Sequence, residues 1–355
     1  MKAEWTINTL GDTCEMYQPK TISSKEMVQD GAYPVFGANG MIGRYDQYNH
    51  EEPQLLITCR GATCGSVNIS EPFSWITGNA MVVRPKQVEL DIRFLEYLFR
   101  GGIDISQAIT GAAQPQITRT NLSPLKISYP TSIIEQQRIV AILDEAFEAI
   151  TAARANAEQN RQNARTLFES HLQSVFSQRG EGWVERPLSE CFRLKSGDSL
   201  TSKQMEAGEY PVYGGNGIAG THNAFNLSGD NVIIGRVGAL CGNARNVMEK
   251  IWLTDNAFKV VDFSYEFDNA FLAYLLNFKN LRSLARQSAQ PVISNSSLKD
   301  LMLNFPVLPE QRRIAIQLDD LSFETQLLES LYQRKIVALD ELKQSLLQQA
   351  FSGQL

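Results

Sequence analysis

The sequence predicts an α+β protein: two β-rich globular domains in tandem, joined by two long helices that pair as an antiparallel coiled coil, the whole a pseudo-two-fold internal repeat. Three observations carry this. One set of motifs occurs twice, about 177 residues apart. Each copy opens with short apolar runs broken by glycine, the pattern of strands and turns. Each copy closes with a stretch free of proline and glycine that is far longer than one small domain can cover.

The repeat is dense. Tyr33, Pro34, Val35, Gly37, Asn39, Gly40 and Gly43 recur as Tyr210, Pro211, Val212, Gly214, Asn216, Gly217 and Gly220. Gly61, Ala62, Cys64 and Gly65 recur as Gly238, Ala239, Cys241 and Gly242, and Trp75, Thr77 and Asn79 as Trp252, Thr254 and Asn256. With a slightly shorter offset, Gln114, Pro115 and Ile117 match Gln290, Pro291 and Ile293, and Glu135, Gln136, Arg138 and Ile139 match Glu310, Gln311, Arg313 and Ile314. Solenoid repeats run roughly 20 to 50 residues, so a unit of this size is a domain. The predicted boundaries are 1–132 for the first domain, 133–179 for the central helix, 180–307 for the second domain and 308–355 for the last helix.

At 355 residues, with 43% hydrophobic and 20% charged residues, each half can bury its own core. The first ten residues show no signal-peptide pattern, and no run of about eighteen apolar residues occurs, so the chain reads as cytoplasmic and off the membrane. Five cysteines without a C-x-x-C spacing indicate neither a disulfide framework nor a zinc site.

Within each globular part, Leu55 to Thr58 precedes the Arg60-Gly61 turn, and Asn231 to Ile234 precedes Arg236-Val237-Gly238. Phe94-Leu95-Glu96-Tyr97-Leu98 and Phe271-Leu272-Ala273-Tyr274-Leu275 have the spacing of a short helix packed on strands. From Glu135 to Ser177 and from Glu310 to Ser352 no proline or glycine occurs. A helix of that length runs about 65 Å.

Those helices carry heptads. Ile139, Leu143, Ala146, Ile150, Ala153, Ala157, Ala164 and Leu167 step by fours and threes, interrupted by Asn160. Ile314, Leu318, Leu321, Thr325, Leu328, Tyr332, Leu339, Leu342 and Leu346 do the same, interrupted by Lys335. This is a coiled-coil seam, in which Asn160 and Lys335 are placed to set register. Antiparallel pairing relates the domains by an approximate two-fold axis, which matches the local symmetry of duplex DNA.

The order of β-rich domain and long helix, twice over, with Tyr33-Pro34-Val35-Phe36-Gly37, the Arg60-Gly61 turn, Gln114-Pro115-Gln116-Ile117 and Glu135-Gln136-Gln137-Arg138-Ile139 echoed in the second half, resembles the specificity subunit of type I restriction-modification systems. The resemblance implies a non-catalytic reader of double-stranded DNA, with no cofactor of its own. Each globular part is then a target recognition domain for one half of a bipartite, asymmetric site. The helices hold methyltransferase subunits, two by the family pattern, and restriction or translocase subunits add to these. The formal net charge of −6, and 11 Lys and Arg against 13 Asp and Glu in residues 1–133, place any phosphate-binding face locally.

Catalytic motifs point the same way. Pro-Pro occurs nowhere, so the segment that holds a flipped adenine in DNA methyltransferases is missing. Gly37 to Gly43 resembles a dinucleotide loop, but no long helix and acidic residue follow it as that fold requires. No Walker loop or His-Glu-x-x-His occurs. The alternative function is a structural adaptor whose duplicated domains bind protein or carbohydrate.

Comparing the copies sorts candidate DNA contacts. Positions that differ within matched loops are candidates for base edges: Arg44, Tyr45 and Asp46 face Thr221, His222 and Asn223, and Arg119 and Asn121 face Asn295 and Ser297. Arginine suits guanine and asparagine suits adenine. Arg60 and Arg236, beside glycine turns, are candidates for phosphate or groove contact or for a structural role in the turn, and Thr63 lies in the turn that follows Arg60. Gln114 and Gln290 fit three roles equally: capping a loop, donating to DNA, or meeting the methyltransferase.

Overall fold

The computed structural model describes residues 4–86, 90–111, 114–177, 182–286 and 291–355. Compactness divides them into two units, Met1–Glu158 with Gln333–Leu355, and Gln159–Tyr332. Each long helix therefore contributes to both units, whereas the sequence boundaries treat the helices as segments apart.

In the first unit β1 (Trp5–Thr9), α1 (Leu10–Thr13) and β2 (Cys14–Tyr17) lead to the hairpin β3 (Tyr33–Gly37) and β4 (Gly40–Tyr45). Then come β5 (Leu55–Thr58), β6 (Val67–Ile69), β7 (Trp75–Ile76) and β8 (Ala80–Pro85). After α2 (Ile92–Tyr97) follow β9 (Ile109–Thr110), β10 (Gln116–Ile117), α3 (Arg119–Leu122), β11 (Lys126–Pro130) and the long α4 (Ile133–Ser177). A four-stranded sheet in the order β2-β8-β5-β6 packs beside a three-stranded sheet β4-β3-β7, in which β7 runs parallel to β3.

The second unit repeats this plan with β12 (Val184–Pro187), α5 (Leu188–Cys191), β13 (Arg193–Ser196), the hairpin β14 (Tyr210–Gly214) and β15 (Gly217–His222), β16 (Asn231–Gly235), β17 (Ala244–Val247), β18 (Trp252–Leu253), β19 (Ala257–Val261), α6 (Asn269–Phe278), α7 (Asn295–Leu298), β20 (Met302–Phe305) and α8 (Leu308–Phe351). Its sheets are β13-β19-β16-β17 and β15-β14-β18. Sequence repeat and strand order agree.

Local chemistry explains the elements. Both hairpins turn on a glycine with positive φ, Gly40 at 105° and Gly217 at 88°, where an L side chain is strained. Asp91 and Asp268 cap α2 and α6 by accepting backbone N–H groups of Phe94 and Phe271. One face of the four-stranded sheet in the first unit, with Leu55, Ile57, Met81 and Val83, forms a core with Phe94 and Leu95 of α2 and Ile139 and Leu143 of α4. The far end of α8 closes that core through Leu347 and Ala350. Gly101 permits the approach, since a Cβ there would stand 2.6 Å from Leu347 Cδ1. In the second unit Phe176 of α4 plays the corresponding part, with ring centroids 5.5 Å from Phe271 and 5.3 Å from Phe278.

Within each unit the two long helices run antiparallel. In the first, Arg138 donates to the Leu355 carbonyl and Arg154 pairs with Asp340 at 3.2 Å. In the second, Arg165 meets Glu329 at 2.6 Å, while Phe176 shares a core with Ile314 and Leu318. The expected seam needs correction in its middle. Asn160 and Lys335 are exposed, so neither lies in the seam to set register, and Leu167, Leu328 and Leu342 are exposed as well. The buried or half-buried positions are the next residues along, Phe168, Glu329, Ile336 and Lys343. A straight α-helix drifts by about 20° per heptad against a strict seven-residue repeat, which moves the contact line to the neighbouring residue.

Candidate nucleic-acid interface

Three segments of the first unit meet at one place. The β3–β4 tip lies on the turn after β5: Thr58 Oγ1 donates to the Ala38 carbonyl at 2.6 Å, and Thr63 Oγ1 donates to Asn39 Oδ1 at 2.8 Å. That turn joins the Gln114–Ile117 segment, because Gly61 N–H donates to the Pro115 carbonyl at 3.1 Å and Ile117 N–H to the Cys59 carbonyl at 2.9 Å. Arg60, Thr63, Gln114 and Arg119 are exposed on this assembly. Neither Arg60 nor Arg119 spends its guanidinium on a side-chain hydrogen bond or ion pair with a described residue. Asn121 is held, its Nδ2 donating to the Ala108 carbonyl at 3.3 Å.

The second unit builds the same assembly. Asn216 Oδ1 accepts Leu240 N–H at 3.0 Å, Gly238 N–H donates to the Pro291 carbonyl at 3.2 Å, and Ile293 N–H to the Arg236 carbonyl at 3.0 Å. Asn295 opens α7 with its Nδ2 on the Leu194 carbonyl at 3.2 Å. Gln290 lies outside the described residues.

The two arginines beside the turns are not equivalents. Arg60 bridges Gln116, and the matching bridge in the second unit is Val237 with Val292. Arg236 instead occupies the place of buried Cys59, since each offers its carbonyl to the isoleucine of the neighbouring segment. One step along an extended chain reverses the side chain. The Arg236 guanidinium therefore lies 5.2 Å from the Phe258 ring centroid, with Nη1 3.4 Å from both Ser196 Oγ and the Asp255 carbonyl. These contacts describe the turn-building side of the two roles open to it.

The loop residues that differ between copies near the first hairpin sit at its base, away from the tip. Arg44 donates to the Gly31 and Ala32 carbonyls at 2.6 and 2.8 Å. Tyr45 packs edge-on to Trp75, and His222 packs edge-on to Trp252, at centroid distances of 5.3 and 5.0 Å. The Tyr-to-His difference thus preserves one packing job. His222 is 8% exposed and its Nδ1 accepts Glu206 N–H. Asn223 Nδ2 is bonded to Glu206.

Sequence reasoning passed over Asn39 and Asn216, which fasten each hairpin tip to its turn. Their recurrence at constant offset was the signal. It also passed over a local concentration of positive charge. Lys195 lies directly opposite Lys259 on adjacent strands, and Arg245 shares their sheet face with its guanidinium against Gly217. None of the three has an ion-pair partner among the described residues. Like charges opposed across strands repel unless an anion answers them.

Nothing in this assembly prepares nucleophilic or metal chemistry. Burial raises the Cys59, Cys64 and Cys241 thiols of the two assemblies above the ordinary thiol value, so they stay protonated near neutrality. Among the described residues no group of His, Cys, Asp or Glu is placed to hold a metal ion, and no helix is long and apolar enough to cross a membrane.

Known proteins share this plan. The family model for the type I restriction modification DNA specificity domain matches residues 2–159 and again residues 180–334. The specificity subunit of the type I restriction enzyme EcoprrI from Escherichia coli is 33% identical over 198 residues, covering 53% of this chain and 48% of that protein. The match thus spans about half the length of that relative. The crystal structure of the HsdS subunit from Thermoanaerobacter tengcongensis is 18% identical with a TM-score of 0.63, covering 99% of this chain and 97% of that one. A structure described as the basis of complex assembly and conformational transition of the type I R-M system is 18% identical with a TM-score of 0.77 over 100% of both chains. These two likenesses concern the fold.

Proposed function

The chain belongs to the type I restriction modification DNA specificity family, and from that premise we propose that it reads a bipartite, asymmetric site on double-stranded DNA without catalysing a reaction. One observation carries the reading: each unit builds the same three-segment loop assembly, with different side chains exposed on it. Two similar readers of unlike surface suit two unlike half-sites. In the first unit Arg60 and Arg119 meet phosphate or base edges, helped by Thr63 and Gln114. In the second, Asn295 and the Lys195, Lys259 and Arg245 face do so. The overall negative charge is compatible with this, because phosphate neutralisation needs only a local basic face.

Partners follow from the helices. Ile316, Phe323, Leu327 and Leu331 form an exposed apolar stripe on α8, at helical spacing and off the seam. Its occupant in this proposal is a methyltransferase subunit, with two such subunits per chain and restriction or translocase subunits beyond them. The assembly works in the cytoplasm. A non-DNA adaptor has no comparable support from the family match.

Single-molecule mapping of N6-methyladenine tests the reading, in a host carrying this chain with its methyltransferase. The expected result is methylation at one interrupted, asymmetric motif that vanishes when this chain is removed. Methylation that persists without the chain, or robust methyl transfer by the purified chain alone, overturns the proposal.

A further inference from the structure

Each hairpin tip exposes a large apolar side chain at the same place. Met41 is 58% exposed and Ile218 is 59% exposed, and the two are equivalent in the repeat. Met41 pairs with Phe36 and Ile218 with Tyr213, both inward-facing residues, on edge strands of their sheets. The exposed side chain therefore overhangs the sheet instead of completing its core. Glycines precede each at positive φ and Gly43 and Gly220 follow two places on, with the exposed Ile42 between Met41 and Gly43 and the smaller Ala219 between Ile218 and Gly220.

A single exposed apolar residue on a protein surface calls for no explanation. Here the side chain changes identity between copies while position, exposure and glycine setting do not. Cations lie on the same assemblies. In the first unit the tip is bonded through Asn39 to the turn that displays Arg60. In the second, the Arg245 guanidinium lies 3.3 to 3.6 Å from where a Cβ on Gly217 would stand, one residue from Ile218. A protein-docking patch is contiguous and apolar over several hundred Å². One or two aliphatic side chains on an assembly that also carries unpaired cations fit a different occupant. Architectural DNA-binding proteins insert such side chains between base pairs while cations hold the flanking phosphates.

We propose that Met41 and Ile218 are apolar wedges, each partly unstacking one base step in its half-site, so that part of each unit's specificity comes from how readily that step opens. This rests on the DNA-reading function proposed above. The wedge favours flexible pyrimidine–purine steps, which unstack most readily.

The test uses the complex with its methyltransferase and duplexes carrying the mapped site, with 2-aminopurine substituted at successive positions other than the adenines that the methyltransferase flips. The wild-type complex should brighten the probe at one step in each half-site. Met41→Ala should abolish brightening in one half only and Ile218→Ala in the other only, with Kd rising about tenfold for each, or ~1.4 kcal/mol. Met41→Leu should restore the signal. The salt slope should not change, since no cation is removed. A wild-type complex that binds its site without brightening any position overturns the wedge and leaves the DNA-reading function standing. So does brightening that survives both alanine variants. If Met41→Ala instead strips the methyltransferase from the complex in gel filtration, the tip is a protein contact and the wedge is wrong. Failure to find any chain-dependent methylated site removes the underlying reading itself.

Discussion

Gln136 Oε1 accepts the backbone N–H of Asp91 at 2.8 Å, tying the first turn of α4 to the residue that caps α2. The same amide donates through Nε2 to the Pro130 carbonyl at 2.8 Å, and its residue is fully buried. Gln311 repeats the arrangement with Asp268 at 3.0 Å and the Pro306 carbonyl at 2.8 Å. The Glu-Gln motif that opens both long helices is thus explained. Glu135 and Glu310 hold Arg138 and Arg313 on the surface, while the glutamine locks the helix to its own domain.

Gln136→Ala should destabilise the first unit by about 2–3 kcal/mol, because it strands a buried donor and a buried acceptor together. Urea unfolding of the variant measures this. A loss under 0.5 kcal/mol would show that water or rearrangement satisfies both groups.

Stability of the first unit should fall as the pH drops below 6.5. His50 donates from Nδ1 to Asn49 Oδ1, which also accepts Ile76 N–H, so its Nε2 accepts the Tyr17 hydroxyl at 2.7 Å. Burial first, and the Arg84 charge second, hold its pKa below the ordinary 6.5. The unfolded chain then binds the proton more readily than the folded one, so stability is full above pH 6.5 and declines from there towards the lowered value. Melting temperatures at pH 7.5 and 5.5 should differ more for the wild type than for His50→Gln. Equal differences would assign the pH effect to other groups.

Arg60→Ala and Arg236→Ala should separate into two phenotypes. Losing Arg60 should weaken DNA binding by the assembled complex and lower its log-log salt slope by about one unit, with unchanged melting. Losing Arg236 removes the cation over Phe258 and should lower stability by about 1 kcal/mol. Salt-titrated binding and thermal melting of both variants decide it. Identical behaviour in the two assays would mean that the one-residue offset has no consequence.

Phe323→Asp combined with Leu327→Asp should abolish co-elution with the methyltransferase subunit in gel filtration. Phe323 is 70% exposed, so the helix and its seam should survive, as circular dichroism would show. Undiminished co-elution with normal helicity would place that partner elsewhere.

The sequence by itself determined the repeat, the β-rich composition of each domain and the two long helices that pair. Those signals are local: a near-constant offset, glycine at turns, and the absence of proline and glycine over forty-odd residues. Tertiary structure alone decided which side chains face outward. Arg236 turned inward because it stands one residue from the place of Arg60, and alternation along an extended chain converts one residue into the opposite face. Tyr45 and His222 differ in sequence yet serve one contact with a tryptophan, so difference between copies did not mean exposure. Asn160 and Lys335 left the seam because helical pitch and heptad period do not match. In each case residue type was legible along the chain, while orientation depended on register against a distant segment.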